Sequence, residues 1–590
     1  MNFISEWFIL TIFLANYHWI EGKTFLVSDY GAHPNDGLDD TNGIQLAINE
    51  AIRSGLSAEI DFGSGIYAIS SRIVIDNAMD LTIKGQGIDQ TFFIVNTSAA
   101  VFYAQSSQRL KLTSFSVDYN PLPFTAGYVV NGSDDHLDVQ VVPPHQTDEN
   151  RKVQAILRYD PAHMRPAFGP HTYEIYQTPP ANVNTTIVSP GVLRVPLASR
   201  TGFGIGDPVV VRYAFVWHTL YAQDVTDMTL QSITIYTSWG MGFVTLRARR
   251  LNIIDYHVKP YNGRWMSTIV DCTHHVDARE YISISDSSCE AMGDDGLNVH
   301  GVFFLVTEVI DSSTIIIQAV GGPEALDLGV GTNLEFSIHD QPFTVHASGT
   351  VTSLVFNSTN SRKLTFSSSV NVNVGDWACV ADTPLLTIRN FTVSHNRARG
   401  ILLETRNIDV QQSVFNRTSG PAVLIQPSMY WHEGPEARNV SLIGNLYIEN
   451  NEGIAQEKGI ISVLPDPPEL VPVHHNIRIE SSTFYFGQSS QGLLQSDNVD
   501  SLLISDNYIA VNSTAPLILI CNSRNISAEH NCVVNTGGQI DTYYTFDSTT
   551  PCAMNLSSLI DLPASAFNAS FPPPVLIDNS MDPRRIKNSK

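Results

Sequence analysis

Three aspartates in the middle of the chain have the types and spacing for acid–base chemistry. Asp271 lies in Arg264-Trp-Met-Ser-Thr-Ile-Val-Asp271-Cys-Thr-His274-His275, and the pair Asp294-Asp295 lies in Gly293-Asp-Asp-Gly-Leu-Asn298-Val-His300-Gly301. Asp271 precedes Asp294 by 294 − 271 = 23 residues. If the backbone winds in coils of about that length, residues one coil apart stack about 4.8 Å apart along the axis, and the three carboxylates converge on one surface. Like charges that close cannot all ionise cheaply, so at least one pKa rises. A protonated carboxyl beside an ionised one is what glycoside hydrolysis uses, with acid and base roughly 6.5–9.5 Å apart in inverting enzymes. The chain carries its own control in Asp39-Asp40, a second pair that reads as helix capping. The glycines, Asn298 and His300 around Asp294-Asp295 set that pair apart. Clustered carboxylates also suit a hard cation such as calcium, which is the second chemical reading.

Other residues can be weighed singly. Trp431 and Glu433, in an otherwise polar loop, suit stacking on a sugar face and binding its hydroxyls; the plainer reading is loop packing. Arg397 and Arg399 could bind hydroxyls or tune a carboxylate, or form a solvated turn pair. Asn298, His300 and His274 could reach substrate or the acid, or be satisfied core side chains. Arg264 and Trp265 are expected to border the pocket. The histidine spacing matches no zinc pattern and there is no Cys-x-x-Cys, so no metal and no cofactor is expected.

The elements that must position these residues are short strands. Leu81-Thr-Ile-Lys, Leu251-Asn-Ile-Ile, Ile282-Ser-Ile-Ser, Leu386-Thr-Ile-Arg, Ile408-Asp-Val and Ile477-Arg-Ile-Glu largely alternate apolar and polar, and most run into Asn, Asp, Ser or Gly. Several starts lie 20 to 30 residues apart, as with 408 − 386 = 22 and 502 − 477 = 25. A repeat of that length predicts an all-β chain folded as a right-handed parallel β-helix. The rival, an antiparallel sandwich, needs hairpin turns that are sparse here. Asp39, Asp40 or Thr41 opens a helical pattern through Ile44, Ala47, Ile48, Ala51 and Ile52, predicting one capping helix over the apolar end of the solenoid. Residues 128–212 and 302–382 break the period and end alike, in Gly206-Asp-Pro-Val-Val-Val and Gly375-Asp-Trp-Ala-Cys-Val. Both are expected to be small inserted β-barrel-like modules. The expected organisation is therefore a leader at 1–22, cap and first coils at 23–127, a module at 128–212 and coils with the aspartates at 213–301. A second module at 302–382, coils at 383–550 and an extended tail at 551–590 follow.

The formal net charge is -24 and no basic run appears, which excludes phosphate-driven nucleic-acid binding and disfavours a polyanionic sugar unless a local basic subsite exists. The apolar stretch inside residues 3–20 is too short to span a bilayer and reads as a signal peptide, although it lacks a basic flank and carries Glu6. Eleven Asn-x-Ser/Thr sequons, at Asn96, Asn131, Asn184, Asn357, Asn390, Asn416, Asn439, Asn512, Asn525, Asn555 and Asn568, fit export as a glycoprotein without a membrane span. Six cysteines permit disulfides, with Cys521–Cys532 and Cys272–Cys289 the two local pairings.

These segments resemble a known family. Asp39-Asp-Thr41 with Ile44-Gln-Leu-Ala-Ile48 resembles the N-terminal cap of the pectate-lyase-like β-helix superfamily. Gly293 to Gly301, Asn396-Arg-Ala-Arg-Gly-Ile-Leu402 and Tyr430-Trp-His-Glu-Gly-Pro435 resemble, in family order, motifs of glycoside hydrolase family 110, over about residues 25 to 550. That family comprises inverting, exo-acting α-1,3-galactosidases, some acting on blood-group-B-type glycans. The resemblance implies a terminal α-galactosyl oligosaccharide as partner and Asp271, Asp294 and Asp295 as the catalytic set. By further analogy with polygalacturonase-like β-helices it implies Asp294 as acid and Asp271 and Asp295 as activators of water. Cys272, His432 and Glu436-Ala depart from the family pattern and bear on substrate preference.

Overall fold

The computed structural model describes residues 22–535, apart from 168–174, 177–183, 198–201, 321–327, 454–456, 488–489, 491 and 512–516, together with the strands Tyr544–Phe546 and Ile560–Asp561. Nearly all of the expected leader and tail, and the sequons at Asn512, Asn555 and Asn568, lie outside the described residues.

The alternating strands do wind into a right-handed parallel β-helix. Each coil contributes the same inward positions. One apolar column runs through Ile60, Ile83, Leu112, Leu230, Ile253 and Ile284, all buried and paired rung to rung in parallel register. It continues through Ile388, Val410, Leu442, Ile479 and Ile504. A second column on the other sheet runs Phe102, Leu220, Phe243, Thr273, Leu297, Ile401, Val423. Side chains on a strand alternate between faces, so the residues flanking each column position along its own strand face outward. Rings stack along the axis in the same way. Tyr447 lies between Phe415 and Phe484, with centroids 5.3 and 4.5 Å away and planes within 9° and 7° of parallel.

The Asn-rich turns have two physical uses. Inside, buried Asn445, Asn507 and Asn531 each donate through Nδ2 to a backbone carbonyl of a neighbouring coil, those of Val410, Ile479 and Ile504, at 2.8–3.0 Å. Turn backbone groups that would otherwise be orphaned are thereby satisfied. At an outer corner, Asp80, Arg109, Asp227, Arg250, Asn439 and Asn476 all take left-handed φ between 52° and 58°. This corner also carries a charge ladder, in which Arg109 pairs with Asp80 and Arg250 with Asp227 and Glu280.

The helix Thr41–Ser54 caps the first coil through buried Ile44, Ala47, Ile48 and Ala51. Asp40 occupies the N-cap position without capping the helix. Its carboxylate instead accepts the N–H of His33 and of Ala68, both at 2.8 Å, while Asp39 accepts the N–H of Thr41 at 3.2 Å. The pair ties the helix to the solenoid.

Two antiparallel modules leave the coils. In the first, Phe124–Gly132, His136–Val141, Val153–Asp160, Val192–Pro196 and Pro208–Tyr213 form one sheet with shorter strands at its margins. The second closes into a ring of six strands. It runs Leu297–Asp311, Thr314–Ala319, Ser361–Phe366, Gln341–Ser358, Asn333–Ile338, Trp377–Val380 and back to the first. Leu297–Asp311 belongs to both structures: residues 297–300 form a rung of the solenoid and the remainder enters the ring. Among the described residues no helix is long and apolar enough to cross a membrane.

Candidate active site

The 23-residue spacing does place Asp271 one coil from Asp294-Asp295. The strands that follow them, Thr273–Val276 and Leu297–Asp311, are adjacent parallel rungs, and the Cys272 N–H donates to the Asp295 carbonyl at 2.9 Å. One oxygen from each of the three carboxylates lies within 4.8 Å of the others. Asp271 and Asp295 are buried, and Asp294 reaches further toward solvent, its side chain 17% exposed against 6% and 3%.

The loop is held from several sides. Gly293 and Gly296 have no room for a side chain, since a Cβ would stand 2.4 Å from the Ile269 and Gly400 carbonyl oxygens respectively. Buried Asn396 donates through Nδ2 to the carbonyls of Asp294, Arg397 and Arg399 at 2.9, 3.1 and 2.7 Å. Arg212, from the first module and buried, donates to the Gly293 carbonyl at 2.9 Å.

Each carboxylate has a different partner. Asp294 Oδ1 accepts from Arg397 Nη1 at 2.8 Å. Asp295 accepts the Arg399 backbone N–H at 2.9 Å, and its other oxygen faces Arg399 Nη2 at 3.0 Å. Asp271 Oδ1 accepts the Asp295 N–H at 3.2 Å and Oδ2 meets His274 Nδ1 at 2.8 Å. Burial, and then the charge of Asp294, pushes Asp271 well above the ordinary carboxylate range, against the pull of Arg399. Burial likewise pushes Asp295 well up, opposed by Arg399 and reinforced by Asp294 and Asp271.

Behind Asp271 runs a chain of imidazoles. His274 Nε2 meets His300 Nε2 at 2.9 Å, and His300 Nδ1 donates to the Gly301 carbonyl at 2.8 Å. Each contact needs one hydrogen. His300 must carry its own on Nδ1, so as a neutral ring it accepts at Nε2 from His274, whose Nδ1 then accepts from a protonated Asp271. Burial lowers the pKa of both histidines and raises that of Asp271, and all three directions agree with this neutral, one-way chain. Glu433 Oε1 lies 3.5 Å from His300 Nε2. Burial raises Glu433, but His300, His274 and its hydrogen bond with Glu404 outweigh that and leave it below its usual range; burial pushes Glu404, its partner, well up. Glu433 reaches this position because Glu433–Gly434 pairs antiparallel with Gly301–Val302.

The structure therefore brings together Asp271, Asp294, Asp295, His274, His300, Arg397, Arg399 and Glu433. Asn298 stands buried between His274 and Leu402 in register, with its Oδ1 unpartnered. Trp431 is 65% exposed beside Tyr430, on the loop that carries Glu433. Arg264 is a correction. It pairs with Asp118 at 2.6 and 2.9 Å and lines a separate cavity of about 430 Å³ that includes none of the three aspartates, while Trp265 packs on Tyr159 of the first module. Arg212, Asn396 and Glu404 were not among the expected site residues. Glu404 carried a usable signal, as a lone charge ending the apolar strand Ile401–Glu404, one rung from His300. Cys272 is bonded to Cys289, as one of the two local pairings anticipated. Cys521 is disulfide-bonded too, though not to Cys532. Among the described residues, two sets have ligand-type atoms close enough for an ion, Asp271/Asp294/Asp295 and His274/His300/Glu433.

The parallel β-helix and its clustered carboxylates fit a glycoside hydrolase, which the similar proteins support. No protein-family model matches the chain. It is similar to α-1,3-galactosidase A of Shewanella woodyi, 24% identical over 78% of this chain and 82% of the relative, and to α-1,3-galactosidase B of Bacteroides thetaiotaomicron, 24% identical over 81% and 86%. A third relative, α-1,3-galactosidase B of Akkermansia muciniphila, is 25% identical over 79% of this chain and 64% of its own length. Among solved structures, the Yersinia enterocolitica family 28 exopolygalacturonase aligns over 89% of this chain and 77% of its own, at 10% identity and a TM-score of 0.46. These relatives agree with the resemblance of its three motifs, in order, to glycoside hydrolase family 110.

Proposed function

We propose that this protein is an exo-acting, inverting hydrolase that removes terminal α-1,3-linked galactose from glycans, blood-group-B-type structures among them. The carrying observation is the meeting of Asp271, Asp294 and Asp295 in one cluster, each with a distinct partner. Asp294, the most exposed of the three, is the acid that protonates the departing oxygen. Asp295, more deeply buried, activates the water, and Asp271, whose proton goes to His274, positions Asp295 by accepting its backbone N–H. The inverting outcome rests on the family resemblance. Oxygens within 4.8 Å of one another sit closer than the roughly 6.5–9.5 Å between carboxyl groups usual for inversion, so product stereochemistry is the deciding measurement. The experiment is turnover of Galα1-3Gal and a B-type oligosaccharide, followed by NMR of the first-formed anomer. β-Galactose is expected from the wild type, and Asp294→Asn is expected to lose roughly 10²–10⁴ in kcat. Normal turnover by that variant, or α-galactose as first product, removes the assignment.

A galacturonan substrate would need cationic groups left over for its carboxylates. Arg397 and Arg399 are already paired with Asp294 and Asp295, which favours a neutral sugar. Export as a glycoprotein is supported by exposure of the sequon asparagines Asn96, Asn131, Asn184, Asn357, Asn390, Asn439 and Asn525. A mass loss on N-glycanase treatment of protein from a eukaryotic host tests it, and no loss would refute it.

A further inference from the structure

Outward positions of the catalytic sheet form a column that can be followed away from the aspartates. From His274 it passes Val244 to Tyr221 and then Tyr103, one parallel rung at a time. At about 4.8 Å per rung, Tyr221 lies roughly 10 Å and Tyr103 roughly 14 Å from His274 along the axis. The two tyrosines stack with centroids 5.1 Å apart and planes within 9°. Trp217 packs at 6.4 Å from Tyr103 and 5.9 Å from Tyr221, and Arg72 lies 5.1 and 5.6 Å over the Tyr103 and Trp217 rings. His218 stacks on Tyr221 at 6.0 Å. Beside it a surface groove of about 460 Å³ is lined by Arg72, Thr97, Ser98, Val216 and Trp217. Phe215 and Val216 are 41% and 47% exposed.

No hydrogen-bonding chemistry of the catalytic cluster explains this strip. Trp217, the ring of the strip that lines the groove, suits the C–H face of a neutral pyranose, the stacked tyrosines hold it in place, and Arg72 at the groove offers donors to the sugar's hydroxyls. We infer that the Tyr221–Tyr103–Trp217 strip, with Arg72, binds the sugars on the leaving-group side of the scissile bond. The occupant is the neutral oligosaccharide to which the terminal galactose is attached. This rests on the galactosidase reading and deepens it. The column's register with His274 favours the substrate as occupant. The competing occupant is the chain's own N-glycan at Asn96, whose sequon, Asn96-Thr97-Ser98, adjoins the groove.

The test uses the full-length glycosylated protein and its Trp217→Ala and Tyr221→Ala variants, with folding checked by thermal melting. On a tetrasaccharide ending in Galα1-3Gal, kcat/KM is expected to fall at least five-fold more than on p-nitrophenyl α-galactoside, with the loss in KM. Equal losses on both substrates overturn the inference. The same tetrasaccharide without its terminal galactose is expected to quench wild-type tryptophan fluorescence and Trp217→Ala far less. This arm needs no turnover, so the strip and the galactosidase reading fail separately. If the galactose-free oligosaccharide gives no quench, the strip is not a leaving-group site. If Asn96→Gln alone alters Trp217 emission and creates oligosaccharide binding absent in the glycosylated protein, the groove belongs to the protein's own glycan and the inference falls.

Discussion

Replacing Arg399 by alanine isolates how far Arg399 holds down the raised pKa of the water-activating Asp295. The substitution removes the guanidinium 3.0 Å from Asp295 Oδ2 but keeps the backbone N–H that donates to Oδ1 at 2.9 Å, so the carboxylate loses a charge and little geometry. Two unit charges 3.0 Å apart at an effective dielectric constant near 20 attract by about 5 kcal/mol, or about four pH units at 1.36 kcal/mol each. Water entering the vacated space should recover about half of that, since a desolvated charge is the costlier state. The sign is fixed. Without the cation the carboxylate is harder to ionise, its pKa rises, and the base is protonated at pH values where the wild type works. The acidic limb of kcat/KM on Galα1-3Gal is therefore expected to move up by about two units, with activity returning on the alkaline side. Arg399→Lys, which keeps charge but loses the planar fork, should move it less. A folded Arg399→Ala variant with an unmoved acidic limb would refute the reasoning, because Asp295 would then not be the titrating base or would not depend on Arg399.

Asp271→Asn should stabilise the fold above neutral pH by about 0.5–2 kcal/mol while abolishing turnover, since the site holds a buried acid for function. Asp271 has its folded pKa raised above the unfolded value, so the stability it contributes is present at low pH and lost as pH rises through the folded pKa; urea titrations at several pH values should show the variant without that decline. Arg212→Met should lower kcat and leave the pH profile in place, because Arg212 shapes the Gly293 loop through a backbone carbonyl; a shifted profile would contradict this. Dialysis against a chelator is expected to leave activity intact, and loss restored by calcium or zinc would reassign one of the two ligand-type clusters to a metal.

The solenoid was legible because each coil repeats one burial pattern, so Ile408 and Leu386 are both 22 residues and one rung apart. The same rule found the carboxylate cluster, since no insertion interrupts the chain between Asp271 and Asp294. It fails wherever a module intervenes. Ser283 and Thr387 are neighbouring rungs but lie 104 residues apart in sequence, and no period carries across the ring between them. Arg212 reaches Gly293 across 81 residues from an antiparallel sheet whose placement the strand pattern does not encode. Arg264 misled for a related reason. Proximity in sequence to Asp271 suggested a shared pocket, but its turn faces the first module, where Asp118 fixes it from 146 residues away.

The chemistry itself depends on both kinds of relation. Coil stacking alone would bring three acids together with no control over which ionises, and burial alone raises both Asp271 and Asp295. What separates them is supplied one coil later or by the modules. Arg397 and Arg399 follow on the next rung to hold Asp294 and Asp295, while the loop returning to the second module brings Glu433 to His300 at the end of the imidazole chain from Asp271. Lengthening a single coil between 271 and 294 by one residue would turn an outward side chain inward and break the set. A change within the ring, away from Gly301–Val302, would leave the aspartates stacked and act only through Glu433. Substrate preference can therefore drift in the modules while the acids stay in register.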